Sequence, residues 1–400
     1  MPPTIIARVS RERLQVVPLY LGGFMGPFGG GLLAVLIPQL RDAFDATTGA
    51  VAAGIPAYIV PFAVLQLVSG TMGERLGRRR VLRSAYIVYA LASVAAAFSP
   101  SIGVFLALRA AQGSANAFVT PLLLAGLAEI TPTRRLGEAV GTFAAVQTAA
   151  VALSPLCGGI AGAVDWRIAF FFPAAVSVGL ACFPPPDRTG HASAPPARLR
   201  SVLTRRVGVL SAAAFAAYAG VTGLGFLVAL RCGDAFDLGS TARGLVLASF
   251  GIAGMVSGRA GGQAVDRFGR VAAVMAGSLL SALVVAAIGV AGSALETALL
   301  WLAAGLGSTL AWAGLNTLAV ESVPSNRAGA TSVVSALKFA GNAAAPVIWL
   351  PLYDSDPRLA FLAAGAMAAV TALLVAPLRP LEKGKRPRPR TAAEASPPLG

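Results

Sequence analysis

Apolar runs, each close to the ~20 residues that carry a helix across a bilayer, fill this chain from one end to the other. Twelve can be marked, at roughly 16–39, 49–71, 81–99, 102–128, 139–163 and 168–184, then at 207–230, 242–264, 271–292, 296–320, 328–351 and 359–378. Lipid offers no water to a backbone, so such runs must satisfy their own N–H and C=O groups as helices. Composition agrees. Hydrophobic residues make up 56% of the chain and charged ones 12%, about half the charged share of an ordinary soluble domain. The expectation is an all-α membrane protein.

A net charge of +15 would raise nucleic acid as a partner for a soluble protein. Here the basic residues stand in short loops between apolar runs, so topology explains them and no nucleic-acid partner is expected. If the N-terminus is cytoplasmic, 24 of the Lys and Arg residues fall on its side and five, Arg41, Arg167, Arg231, Arg243 and Arg358, on the other. Arg109, Arg259 and Lys338 lie inside spans. That asymmetry places both termini in the cytoplasm of a plasma-membrane protein. Arg8, Arg11 and Arg13 precede a run too long for a signal-peptide core, which reads as the first span. Cys157, Cys182 and Cys232 show no pairing or metal-site spacing, and the lone His191 lies in polar sequence, so no metal or cofactor is expected.

A twinned loop organises the rest. Gly70, Glu74, Arg75, Gly77 and Arg78 stand between two apolar runs and recur as Gly262, Asp266, Arg267, Gly269 and Arg270, each offset by 192 residues. Gly113 and Gly305 share that offset, and Pro155 and Pro346 are 191 apart. The stretch from Pro184 to Arg206, rich in Pro, Ser and Ala, is the one long break and reads as a flexible linker. The expected organisation is a six-helix bundle over 1–183, a cytoplasmic linker over 184–206, a second six-helix bundle over 207–378, and a basic tail over 379–400. The tail (EKGKRPRPR) could touch anionic lipid.

These residues resemble the major facilitator superfamily over essentially the whole length, and more narrowly its bacterial drug:proton antiporters. The first loop is similar to their G-x-L-a-D-R-x-G-R-R motif, with Met72 for the leucine and Glu74 for the aspartate. Arg109, Gln112 and Gly113 resemble their fourth-helix R-x-x-q-G motif. Pro155, Gly158 and Gly159 match part of the fifth-helix antiporter motif, where Ala150 and Ser154 replace glycines. Trp166, Arg167 and the aromatic run Phe170–Phe172 are also similar to exporters of this type. The resemblance implies twelve transmembrane helices in two pseudo-symmetric bundles, a monomer, and transport rather than catalysis.

Charge inside the membrane then carries the functional reading. A centred charge costs roughly 2.5–3.5 kcal/mol on insertion scales, so it faces a cavity or a partner. Arg109 and Lys338 are the expected cavity cations, and Tyr58, Gln112, Asn116, Gln147, Trp312, Asn316 and Asn342 the expected polar and stacking groups beside them. No acid stands mid-span. Glu129 and Glu321 come nearest, at the cytoplasmic ends of spans 4 and 10. A cavity so charged favours neutral or anionic cargo over lipophilic cations. Glu74 and Asp266, with their arginines and glycines, are expected to latch the cytoplasmic side in one state only. Pro155, Gly158 and Gly159 are expected to bend and thin helix 5 between the halves. The expected function is export of small amphipathic molecules by alternating access, driven by the proton gradient. Uptake or exchange of an anionic metabolite is the alternative, with a non-transporting membrane sensor third.

Overall fold

A computed structural model describes residues 5–132, 135–183 and 204–378. The tail 379–400, the linker as far as residue 203, Arg134 and His191 lie outside the described residues, as do the side chains of Arg8, Arg11, Arg13 and Glu74. Helices account for nearly all of what is described, and no strand occurs among the described residues.

The first span is broken. Helix α1 (Ile5–Gly31) and α2 (Leu33–Phe44) meet at a bend of 49°. The run Gly29–Gly31 stands at the break with Pro27 one turn before it, where the glycines yield cheaply and the proline removes a ladder hydrogen bond. A short α3 (Thr48–Ala52) leads into α4 (Gly54–Leu76), and α5 (Arg78–Ala97) follows after one residue. The fourth span is α6 (Ile102–Asn116) continued by α7 (Val119–Ile130), the fifth α8 (Leu136–Val164), and the sixth α9 (Ile168–Cys182). Beyond the linker come α10 (Arg205–Gly220) with α11 (Gly225–Phe236), then α12 (Ser240–Phe268), α13 (Arg270–Ile288), α14 (Ala294–Ser322), α15 (Arg327–Ser355) and α16 (Pro357–Val375). Ten of these segments are long and apolar enough to cross a bilayer, an eleventh if the α1–α2 pair counts as one, while α9 is a 15-residue apolar helix. Against the expected twelve, the described residues give ten clear spans or, with the bent pair, eleven, and the sixth expected span is the short helix α9.

The internal repeat reaches further than its loops. Helix α2 and helix α11 are both 12 residues long and 192 residues apart. The sequence Asp-Ala-Phe-Asp ends each, at 42–45 and 234–237. Asp45 (φ 46°) and Asp237 (φ 51°) both close their helices in the left-handed region, which aspartate tolerates better than most side chains. The breaks before α2 and α11 also correspond, the second being the 3₁₀ turn Thr222–Leu224.

The two halves meet mainly through α8 on α12 and through α4 on α15. Helices α8 and α12 cross on glycine. A Cβ added at Gly159 would stand 2.4 Å from the Ser240 carbonyl oxygen, one at Gly244 2.4 Å from that of Pro155, and one at Gly251 2.4 Å from the Ala152 Cα. Thr241 Oγ1 donates to the Gly159 carbonyl at 3.4 Å across the same seam. Farther along, toward the face that carries the Gly77 and Gly269 turns (the motif face), a Cβ added at Gly141, Gly258 or Gly262 would meet no other part of the described residues within 4 Å. The pair therefore touches at one end and splays at the other. On the opposite face α2 packs on α11 and α12, with Leu33, Leu36, Leu40, Leu227 and Val228 fully buried. A ring cluster of Phe44, Phe105, Trp166 and Phe170 ties α9 down at that end.

Glycine at the seam makes a direct prediction. Gly159→Val should lower the thermal unfolding midpoint by roughly 3–10 °C through overpacking. Gly258→Val, in open space, should leave it within about 1–2 °C. Scanning fluorimetry of the purified protein distinguishes them.

Candidate functional site

Between the halves lies a cavity of about 750 Å³, within the usual range for small-molecule sites. It reaches toward the motif face along Gln66 and Leu67 of α4 and along Thr331 and Ser332 of α15. Tyr58, Asn116 and Gln147 line it from the first half, Lys338 and Asn342 from the second. Pro155 also reaches the wall, where α8 passes from the cavity to the glycine seam, while Gly158 turns instead onto Leu32 and Val35. Asn316 is exposed and lies outside this wall.

Lys338 sits in a cage of rings. Its Nζ lies 4.3 Å from the Trp312 ring centroid, 4.4 Å from that of Phe339 and 5.2 Å from that of Tyr218. Ring faces carry negative charge and so attract an ammonium, the more strongly where water is scarce. Trp312 contributes from behind, facing a small neighbouring crevice with Tyr218 rather than the main cavity. Among the described residues no carboxylate comes within ion-pair range of Lys338.

Arg109 is placed differently. Only 1% of its surface is exposed, and it stands behind Tyr58, its guanidinium carbon 4.5 Å from that ring's centroid. Its Nη1 donates to the Gly29 carbonyl at 3.2 Å and to Gln112 Oε1 at 2.7 Å, and its Nε to the Gly54 carbonyl at 3.4 Å. Gln112 in turn donates to Ser93 Oγ at 2.9 Å, and Ser93 to the Tyr89 carbonyl at 2.7 Å. One network therefore joins α1, α4, α5 and α6 one layer behind the cavity. The freed carbonyls of the glycine-rich α1 find their donors here, as a kinked membrane helix requires.

Several wall residues escape a reading of the sequence. Trp301 is 2% exposed, its buried Nε1 has no acceptor among the described residues, and the residue lines the cavity beside Phe250, ring centroids 4.7 Å apart. The offset of 192 residues makes it the counterpart of Arg109, the one signal that could have found it. Phe62 and Phe339 meet edge to face at 5.0 Å and bridge α4 to α15.

The twin loops are built alike. Gly77 (φ 87°) and Gly269 (φ 96°) each form the whole connection between two helices in a conformation only glycine adopts freely. Arg78 makes a two-pronged ion pair with Glu129 on α7, its Nη1 at 2.8 Å from Oε2. Arg270 pairs with Glu321 on α14 at 2.7 Å. Both members of the second pair lie 192 residues after those of the first. The two acids nearest the expected relay position are thus bound to loop arginines, each within its own half. Arg75 is exposed, as are Asp266 and Arg267, and Asp266 has no ion pair among the described residues. Gly70 and Gly262 fall in the last turns of α4 and α12.

Comparison with known proteins matches this architecture. The sequence profile of the Major Facilitator Superfamily fits twice, over residues 19–211 and again over 210–400. The chain belongs to that superfamily, a family of membrane-embedded transporters. Among curated relatives, it is 26% identical over 162 residues to the drug efflux pump JefA of Mycobacterium tuberculosis (strain CDC 1551 / Oshkosh), covering 40% of this chain and 32% of JefA. It is 26% identical over 155 residues to the MFS antiporter QDR3 of Candida albicans (strain SC5314 / ATCC MYA-2876), covering 38% of this chain and 22% of QDR3. The matched stretch thus spans under a third of either relative. In fold it is similar to a bacterial homolog of the human lysosomal transporter Spinster, solved inward-facing and occupied, with a TM-score of 0.77 at 16% identity over 94% of this chain and 98% of that one. It is similar also to a D-xylose–proton symporter, with a TM-score of 0.72 at 15% identity over 90% and 96% of the chains.

The loop ion pairs can be weighed. Arg78→Ala and Glu129→Ala, combined in a double-mutant cycle on unfolding, should show a coupling of about 1–2 kcal/mol, since the pair is half-buried and two-pronged. The exposed pair Arg135–Glu138, 3.6 Å apart, should couple by under about 0.5 kcal/mol. Equal couplings would remove the distinction.

Proposed function

We propose that this chain is a secondary active transporter that exports small, partly apolar molecules across the plasma membrane by alternating access. The observation that carries the reading is the large cavity between two repeat-related halves, closed on one face and splayed at the other. In carriers of this build a midplane site is exposed by rocking one half against the other. The bundles 1–183 and 207–378 would be the moving bodies, 184–206 their linker and 379–400 a basic tail. The asymmetry of Lys and Arg supports cytoplasmic termini and a cytoplasmic motif face, and with that orientation the cavity would open inward. Sequence likeness to a drug efflux pump and an antiporter supports the outward direction.

The roles follow from position. Tyr58, Asn116, Gln147, Lys338 and Asn342 would contact cargo directly, with Trp312 holding Lys338. Arg109 and Gln112 would act from behind the wall, fixing α1 and α4 and adding positive potential. Gly159 with Pro155 would form the pivot on α12. Glu74 and Asp266 would close the twin loops in the outward-facing state, when the motif face comes together. The driving force would be the proton gradient and the working unit a monomer. Uptake or exchange of an anionic metabolite is the second reading, favoured by Lys338 standing in the wall with no acid beside it.

Expression in an efflux-deficient bacterium tests the first reading against a panel of neutral, anionic and cationic compounds. The protein should raise tolerance to at least one compound several-fold, and an uncoupler should abolish the gain. Tolerance unchanged across the panel, with uptake of labelled organic anions instead, selects the second reading. For the latch, Glu74→Gln combined with Asp266→Asn should slow transport several-fold at equal expression. An unchanged rate removes that role.

A further inference from the structure

We propose that the cargo is a monoanion, a carboxylate or sulfonate on a flat apolar body, held with its anionic group at the Lys338 ammonium. The inference rests on the reading of the chain as a carrier and narrows it to a substrate class. Three independent features meet at this point.

The first is charge. Among the described residues the cavity wall contains one formal charge, Lys338, and no carboxylate. One layer behind Tyr58 stands Arg109, whose partners are two carbonyls and an amide rather than an acid. Cargo thus lies between two cations, one from each half, neither neutralised by an acid among the described residues. Such a field draws anions and repels cations.

The second is the state of the ammonium. Its three donors have no hydrogen-bond or ion-pair partner among the described residues, and three rings stand within 5.2 Å of it. A ring cage holds the ammonium when the site is empty and gives it up to an oxyanion, which bonds it directionally. A structural lysine would show a carbonyl or carboxylate partner here, as Arg109 does.

The third is the shape of the lining. Thr331, Ser335, Lys338 and Asn342 form a polar stripe down one face of α15, at the spacing that a helix stacks. Phe62, Phe250 and Phe339 line the same cavity and offer ring surface for a flat apolar body. The arrangement takes an oxygen-bearing head on the second half and an aromatic body across the middle.

The test uses the full-length protein in lipid nanodiscs and three probes of one shape, 2-naphthoate, 2-naphthamide and 2-naphthyltrimethylammonium. Calorimetry should rank naphthoate at least about tenfold tighter than the amide, with the ammonium compound weakest. Lys338→Gln should erase the preference for naphthoate, and Lys338→Arg should restore it to within about threefold. Preference for the cation, no binding of naphthoate, or a naphthoate preference that survives Lys338→Gln overturns the assignment. If Lys338→Gln does not fold, the Lys338→Arg protein and the three-probe ranking on the wild type still decide it. Movement of the probes in loaded proteoliposomes separates the two levels. Transport of amide and ammonium compound as fast as naphthoate overturns the anion assignment and leaves the carrier standing. Tight, Lys338-dependent naphthoate binding with no probe transported upholds the assignment and removes the carrier.

Discussion

The glycine crossing of α8 and α12 is the contact on which the rest of the structure depends. Two apolar helices in lipid gain nothing by hiding from water, so they adhere only where small residues let the backbones approach and pack. Gly159, Gly244 and Gly251 give that approach at one end of the seam. Toward the motif-face end, an added Cβ at Gly141, Gly258 or Gly262 would meet open space among the described residues. A seam tight at one end and free at the other can pivot. The cavity is the space left on the free side, and its reach toward the motif face follows from where the glycines stop.

Symmetry built the scaffold and asymmetry built the site. Turns, caps and loop ion pairs repeat at a constant offset, from Asp45 and Asp237 to Arg78–Glu129 and Arg270–Glu321. The cavity breaks that rule. Arg109 corresponds to Trp301, a cation locked behind the wall against an indole that lines it. Lys338 corresponds, at the offset of 191 residues that relates α8 to α15, to the uncharged Gln147, so the second half alone presents a charge to the cavity among the described residues. Cargo would meet two chemically different faces, which is what orientation and selectivity require.

Much of this was legible in the sequence, and its limits are physical. Apolar length fixes helices, and the Gly70–Arg80 and Gly262–Arg270 loops mark the repeat and the family. Breaks within spans are harder to see, since 29–33 and 220–225 remain apolar through their turns. Arg109 and Lys338 look alike in sequence, each one cation in an apolar run. Only the packing of α1 and α4 around Arg109 separates a guanidinium spent on carbonyls from an ammonium facing the cavity. The pairing of Glu129 with Arg78 joins residues 51 apart, and the same separation recurs between Glu321 and Arg270. Asn316 and Trp312 show the same limit, because helical facing depends on neighbours that no single span reveals.

Spin-label distances across the seam test the central claim most directly. Labels at Gly141 and Gly262 report the motif face, and labels at Thr47 and Gly239 the opposite face, both read by double electron–electron resonance in nanodiscs. Pivoting halves predict two distances at each pair, long at one face when short at the other, with the Glu74→Gln, Asp266→Asn protein shifted toward the open motif face. One narrow distance at each pair, unchanged by those substitutions and by added naphthoate, would contradict the account.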